Sequence, residues 1–295
     1  MLYMAYSYQE RYLGGVMAIN DSFWQIFSRR KSAYIGLFII ISYVIIALFA
    51  PWIAPHDYRA QDRTSIMEGP SSEYPLGTDR VGRCLLSRII FGARISLTVG
   101  LVAVGIGSSI GLVIGSISGY MGGWVDRIVM GLVDIVWSFP TMLLAIALTA
   151  ILQPGLHSVI IALGLVSWPE YARIIRSQFL AVKQKEFVEA ARSVGASDFR
   201  IIRKHLLPNS IAPVIVVATL GMATAVLVEA TFSYLGLGAQ PPQPSWGSIL
   251  SMGKDFIYHQ PLMSIAPGVA IMIMVLGFNL LGDAIRDVMD PRLKK

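Results

Sequence analysis

Six long stretches almost free of charge constrain this chain more than any other feature. They cover about residues 33–54, 95–120, 124–151, 157–182, 211–237 and 261–281, each near or above the ~20 residues a helix needs to cross ~30 Å of hydrocarbon. Hydrocarbon offers no partner to a backbone N–H or C=O, so runs of this kind satisfy their backbone internally as helices. Composition points the same way: 55% of the residues are hydrophobic, 14% are charged and the mean hydropathy is +0.62, whereas soluble domains average about 25% charged residues. The expectation is an all-α membrane protein with six transmembrane helices.

The segments between the spans set its orientation. Residues 1–32 read as a cytoplasmic amphipathic lead-in, with Phe23, Trp24, Ile26 and Phe27 at the interface and Arg29, Arg30 and Lys31 facing phosphates. Its first 15 or so residues read as a disordered tail. The basic cluster holds the amino end inside, and Arg286, Arg292, Lys294 and Lys295 hold the carboxyl end inside with the short tail 288–295. The first apolar run has no small-residue cleavage site near its end and is expected to stay as an anchor. The external loop 55–94 sets Asp57, Asp62, Glu68, Glu73 and Asp79 against six arginines. Its last part, Val81 to Arg94, reads as a surface helix with Leu85, Leu86, Ile89 and Ile90 down and Arg83 and Arg88 up. Residues 238–260 form a second, proline-rich external loop. The net charge of +6 lies beside apolar segments, where it meets lipid head groups rather than nucleic acid. The single Cys84 leaves no intramolecular disulfide and no thiolate metal cluster.

Inside the spans, Gly107, Gly111, Gly115 and Gly119 recur every four residues, a stripe that lets a second helix approach closely and reads as a packing seam. Phe139-Pro140 bends the third span and Trp168-Pro169 breaks the fourth, after which Glu170, Arg173 and Arg176 share a face. Asp134 and Glu229 are ionisable groups in otherwise apolar spans, Asp134 toward the inner side and Glu229 toward the outer. Each could accept a peptide amino terminus or a metal, or make a helix-to-helix hydrogen bond. His56, His157, His205 and His259 lie in loops and ends on both sides of the membrane, which argues against a metal site of the chain's own. Gly107-Ser108-Ser109-Ile110-Gly111 matches the G-x-S-x-G of serine hydrolases. That motif needs a strand-to-helix elbow, not the interior of an apolar helix. No phosphate-binding G-x-x-x-x-G-K-[ST] is present, so energy drawn from ATP must come from a partner.

The strongest charged run between spans is the loop 183–209, with Glu186, Glu189, Arg192, Asp198, Arg200, Arg203 and Lys204. Phe187 to Val194 reads as a short helix stopped by Gly195 in the left-handed conformation. Ser197-Asp198 caps a second helix that runs to His205 and stops ahead of Pro208. A projecting pair with small alanines on its surface is shaped to be gripped by a partner's groove.

Glu189-Ala190-Ala191, Gly195 and Leu207-Pro208 fall in the register of the EAA loop of ABC importer permeases, with His205 where that pattern has an apolar residue. The resemblance extends to the second permease subunit of dipeptide, oligopeptide and nickel importers. It is carried by Gly77-Thr78-Asp79-Arg80-Val81-Gly82-Arg83, Gly92-Ala93-Arg94-Ile95-Ser96-Leu97, Leu235-Gly236-Leu237-Gly238, Pro244-Ser245-Trp246-Gly247 and Phe278-Asn279-Leu280-Leu281-Gly282-Asp283. Cys84 departs from the Asp usual after the Gly-Arg pair.

The resemblance implies the ABC type I importer permease fold, with no catalysis in this chain and no cofactor on it, ATP and Mg being held by partner ATPases. It implies as partners a second homologous permease, two ABC ATPases and an extracytoplasmic solute-binding protein, in a prokaryotic inner membrane. Glu189, Ala190, Ala191, Ser193, Gly195, Leu207 and Pro208 would then meet the ATPase. The solute would be a dipeptide or short oligopeptide, with nickel or a nickel chelate as the alternative. A self-contained secondary transporter using Asp134 and Glu229 is the rival reading, and it would need an inverted repeat with broken helices in both halves.

Overall fold

The computed structural model describes residues 27 and 30–289; the expected lead-in, apart from Phe27 and 30–32, and the tail from 290 lie outside the described residues. The described chain is helical, with one isolated bridge between Thr78 and Cys84. Helix α1 (Lys31–Leu48) and the single turn α2 (Ala50–Ile53) are followed by an ordered loop and by α3 (Leu85–Met121). Next come α4 (Gly123–Ser138), α5 (Thr141–Ile151) and α6 (Leu156–Lys183). The short helices α7 (Glu186–Ser193) and α8 (Asp198–Ile201) precede a π segment (Ile202–Leu206) that runs into α9 (Leu207–Tyr234). Helix α10 (Trp246–Gly253) and α11 (Leu262–Met289) complete the described order. Five of these helices, counting Asp198–Tyr234 as one, are long and apolar enough to cross a membrane; the pair α4 and α5 would make a sixth as one broken span.

The α3–α6 interface organises the bundle. Gly107, Gly111, Gly115 and Gly119 are all buried on α3 and face successive turns of α6. A Cβ on Gly111 would stand 2.7 Å from the Trp168 carbonyl oxygen and 2.8 Å from the Ala172 nitrogen, and one on Gly119 would stand 2.7 Å from the Phe179 Cβ. Gly164 reciprocates on α6, where a Cβ would meet the Ile106 Cγ2 at 2.7 Å. Backbone against backbone at this range gains dispersion contacts along the whole seam, which matters where lipid competes equally for apolar surface. A second seam joins α1 to α11 through Gly36, which faces the Leu281 nitrogen, and Gly277, which faces the Ile39 side chain.

Several elements differ from the sequence expectation, each for a physical reason. Helix α3 is continuous from Leu85, so no separate helix lies flat on the outer surface. Arg88 points inward, not up: its side chain is 2% exposed, with Nε 3.6 Å from Asp79 Oδ2. Asp79 explains this reversal. Its Oδ1 accepts the Val81 and Arg83 backbone N–H groups, both at 3.0 Å, and its Oδ2 accepts Arg83 Nε at 2.7 Å. The flanking glycines make the tight loop possible, since Gly77 and Gly82 have φ of +79° and +75° and face the Glu68 and Asp62 backbones. The same Asp62 accepts hydrogen bonds from Thr64, Ser65 and Tyr74, and these, Thr64 foremost, hold its carboxyl below the usual carboxylate range.

Prolines are the other source of difference. Pro169 is buried inside a continuous α6, so the expected break is absent. The bend at Pro140 is far sharper than a kink, because α4 and α5 meet at 87°. The proline-rich external loop contains α10, whose Trp246 and Ile249 are fully buried. Trp246 Nε1 donates to the Ile89 carbonyl at 2.9 Å and its ring meets Tyr43 edge-on, so α10 plugs the space between α1, α3 and α11.

Two outcomes test this packing. Gly111→Val should weaken the α3–α6 seam by about 1–3 kcal/mol, the usual cost of overpacking, read as a lower thermal midpoint in detergent. Asp79→Ala leaves two buried guanidinium groups uncompensated and should cost about 3–5 kcal/mol, a loss that Asp79→Glu recovers only in part.

Candidate functional site

The coupling candidate is the segment 183–209, and its shape follows from its ends. Helix α7 starts after Lys185, in extended conformation, with Glu186 and Glu189 in the first turn, where carboxylates complement the positive end of the helix. It ends in a Schellman closure: the Ala196 N–H bonds the Ala191 carbonyl at 3.1 Å, the Gly195 N–H bonds the Arg192 carbonyl at 3.0 Å, and Gly195 has φ +81°. A Cβ on Gly195 would meet nothing within 4 Å. The requirement for glycine therefore lies in the backbone, not in crowding from this chain.

One face of α7 is fixed to the membrane bundle. Val188 and Ala191 are buried with Ile201 and Leu206 against Ile175, Phe179 and Val182 of α6. Ala191 therefore belongs to the inner face, contrary to the expectation of two surface alanines; Ala190 is exposed. Glu189, Ser193 and Gly195 are exposed as well. Phe187, Val194 and Phe199 stand out beside them, Val194 84% and Phe199 71% exposed. The sequence reading did not single out these apolar groups, although three apolar side chains in a strongly charged segment were the available signal.

Ser197 sits at the N-cap of α8 without a side-chain capping bond. The Asp198 carboxylate instead accepts the Tyr120 hydroxyl from the end of α3, while Lys183 Nζ donates to the Tyr120 carbonyl at 2.6 Å. Nor does the second helix stop ahead of Pro208. Pro208 has no N–H to give, and the widened π turns of Ile202–Leu206 absorb that loss and carry the helix into α9. Leu207 is half-buried and Pro208 exposed at this junction. Asn209 Nδ2 caps the His205 carbonyl at 2.6 Å, and the His205 ring packs 6.2 Å from Phe187. Histidine thus fills its apolar position as a flat packing group.

The two ionisable groups of the apolar spans are handled separately. Glu229 on α9 is fully buried and accepts Ser96 Oγ of α3 at 3.2 Å and Ser233 Oγ at 2.7 Å, a helix-to-helix hydrogen bond. Asp134 does not face the bundle interior; it is 67% exposed and pairs with Arg173 at 2.6 Å, whose guanidinium lies 4.0 Å over the Trp137 ring. The two carboxylates share no partner among the described residues. No group of three or more His, Cys, Asp and Glu side chains converges there as a metal site.

Comparison with known proteins decides what these parts belong to. Residues 111–295 match the family described as binding-protein-dependent transport system inner membrane component, and residues 21–70 match the N-terminal transmembrane domain of oligopeptide transport permease C. This chain belongs to that transport family. It is 44% identical to the dipeptide transport system permease protein DppC of Alkalihalophilus pseudofirmus, over 93% of this chain and 90% of the relative. It is 42% identical to the glutathione transport system permease protein GsiD of Escherichia coli, over 92% and 90%. The MetNI methionine ABC transporter in an inward-facing conformation shares the fold, with a TM-score of 0.58 and 24% identity over 70% of this chain and 98% of that one.

The protein is therefore a multi-pass permease of a binding-protein-dependent transport system of the inner membrane. Partners of the ATPase and substrate-binding-protein kinds go with that membership. For the permease, Gly195→Ala should leave the membrane bundle intact and cost about 1–2 kcal/mol locally, the left-handed penalty for a residue with a Cβ. The measurement is hydrogen exchange, with protection lost in α7 and unchanged in α3 and α6.

Proposed function

We propose that this permease passes dipeptides or short oligopeptides, forming half of the pathway beside a second, homologous permease. The observation that carries the solute class is the pair of relatives at 44% and 42% identity, named for a dipeptide and for glutathione, itself a tripeptide. Two ATPases binding ATP and Mg dock from the cytoplasm, on the side that also holds both termini, and an extracytoplasmic binding protein delivers the solute.

The docking surface is the outer face of α7 and its glycine corner: Glu189, Ala190, Ser193 and Gly195, flanked by Val194 and Phe199. Ala191, Leu207 and Pro208 act from behind this face. Ala191 seats α7 on the bundle, and Leu207-Pro208 join the loop to α9. Support comes from the combination of exposed apolar side chains with a rigid mount, since a partner needs both a grip and something fixed to push against. Closure of the ATPases on ATP would then move α7 with α6 and α9 as a body.

A mild-detergent pull-down of tagged permease tests the assembly, with wild type run beside Glu189→Arg. The wild type should bring down a second permease and two ATPases, and the variant should retain the permease and lose most of the ATPase. Recovery of the wild-type chain alone would sink the proposal.

A further inference from the structure

The fourth span carries three charged residues at one-turn spacing, Glu170, Arg173 and Arg176, and the structure treats them differently. Arg173 pairs with Asp134, and Arg176 makes a two-point contact with Asp126. Glu170 has no hydrogen bond or ion pair among the described residues. It lies about 21 Å along α6 from Leu156 and about 20 Å from Lys183, at 1.5 Å per residue, which is the middle of the helix. The residue is exposed rather than enclosed, and an unpaired carboxylate in a membrane span is kept where it faces water or a ligand.

Glu170 opens into a cavity of about 310 Å³ between α3, α6, α9 and the α4–α5 bend. That volume is at the small end of small-molecule sites. With Glu170, the lining includes the hydroxyl-bearing residues Thr141, Ser167, Tyr171 and Thr224, and Trp137. The other lining residues are apolar. One acidic group in a cavity also lined by neutral hydroxyl-bearing residues suits a primary ammonium, which brings one positive charge and three N–H donors. A divalent metal is a poor fit, because Asp134 is engaged by Arg173 and no further carboxylate or imidazole lines the cavity.

We propose that Glu170 and this cavity form a midway binding site for the free α-ammonium group of the transported solute. The assignment rests on the peptide reading above. In it, the carboxylate is left unpaired in the empty permease so that the solute's own charge completes the pair during passage.

The test uses the whole importer in liposomes, with its binding protein, and two solutes: a dipeptide, and the same compound with the α-amino group replaced by hydroxyl. Uptake and binding-protein-stimulated ATP hydrolysis are read for wild type, Glu170→Gln and Glu170→Asp. The delivering protein is the same throughout, so its own preference cancels when the amine-to-hydroxyl uptake ratios are compared. The ratio should fall by about tenfold or more in Glu170→Gln, as expected when an ammonium group loses its only carboxylate partner in the cavity, with stimulated ATP hydrolysis within about twofold of wild type. Glu170→Asp, which keeps the charge, should hold an intermediate ratio, and it carries the test should Glu170→Gln fail to assemble. An unchanged ratio in Glu170→Gln overturns the proposal, whether or not total uptake falls, because a merely structural role would lower both solutes together. A wild-type importer that takes up neither solute refutes the peptide reading instead.

Discussion

The close contact of α3 with α6 is what the other elements depend on. In water, burial of apolar side chains would hold two such helices together; in lipid that drive is largely absent, and shape must supply the attraction. Four glycines on one helix and Gly164 on the other bring the backbones together. Everything functional hangs on this pair. The far half of α6 supplies the apolar bed for α7, the last turn of α3 holds α8 through Tyr120, and the near half of α6 walls the Glu170 cavity.

Charged groups on and beside the spans follow one pattern: most are given a partner by the fold itself. Asp79 gathers Arg83 and Arg88 at the outer mouth, Asp126 takes Arg176, Asp134 takes Arg173, and Glu229 takes two serines. Against that pattern Glu170, among the described residues, is a carboxylate without a partner that lines a cavity. In a permease, an unmatched charge in a cavity is where a passing solute can be sensed without any chemistry being done to it.

Much of this was legible in the sequence because hydropathy and glycine spacing are local signals. The apolar runs, the four-residue stripe and the glycine corner at Gly195 each declare themselves within one or two turns. What was misread depends on partners distant in sequence or on the membrane's tolerance of proline. Arg88 looks like an outward-facing surface charge until Asp79 is folded beneath it. Pro169 and Pro208 look like breaks, yet a packed transmembrane helix and a π turn absorb them. The 87° corner at Pro140 and the inward plug of Trp246 are tertiary outcomes that no local pattern specifies. The unmatched state of Glu170 could not be read at all before Arg173 and Arg176 were seen with other partners.

The uninterrupted run from Asp198 through the π segment to Tyr234 gives the molecule a lever. Its 37 residues make a rod about 55 Å long at 1.5 Å per residue. By simple trigonometry on that rod length, a tilt of about 5° about one end displaces the other by about 5 Å. Glu229, near the far end, accepts a hydrogen bond from Ser96 and ties that end to α3. Had the helix stopped before Pro208, a slack joint would have separated the two ends. With the π turns bridging it, the loop and the span share one rod, so the charged segment 198–206 and the far turn near Glu229 cannot tilt independently.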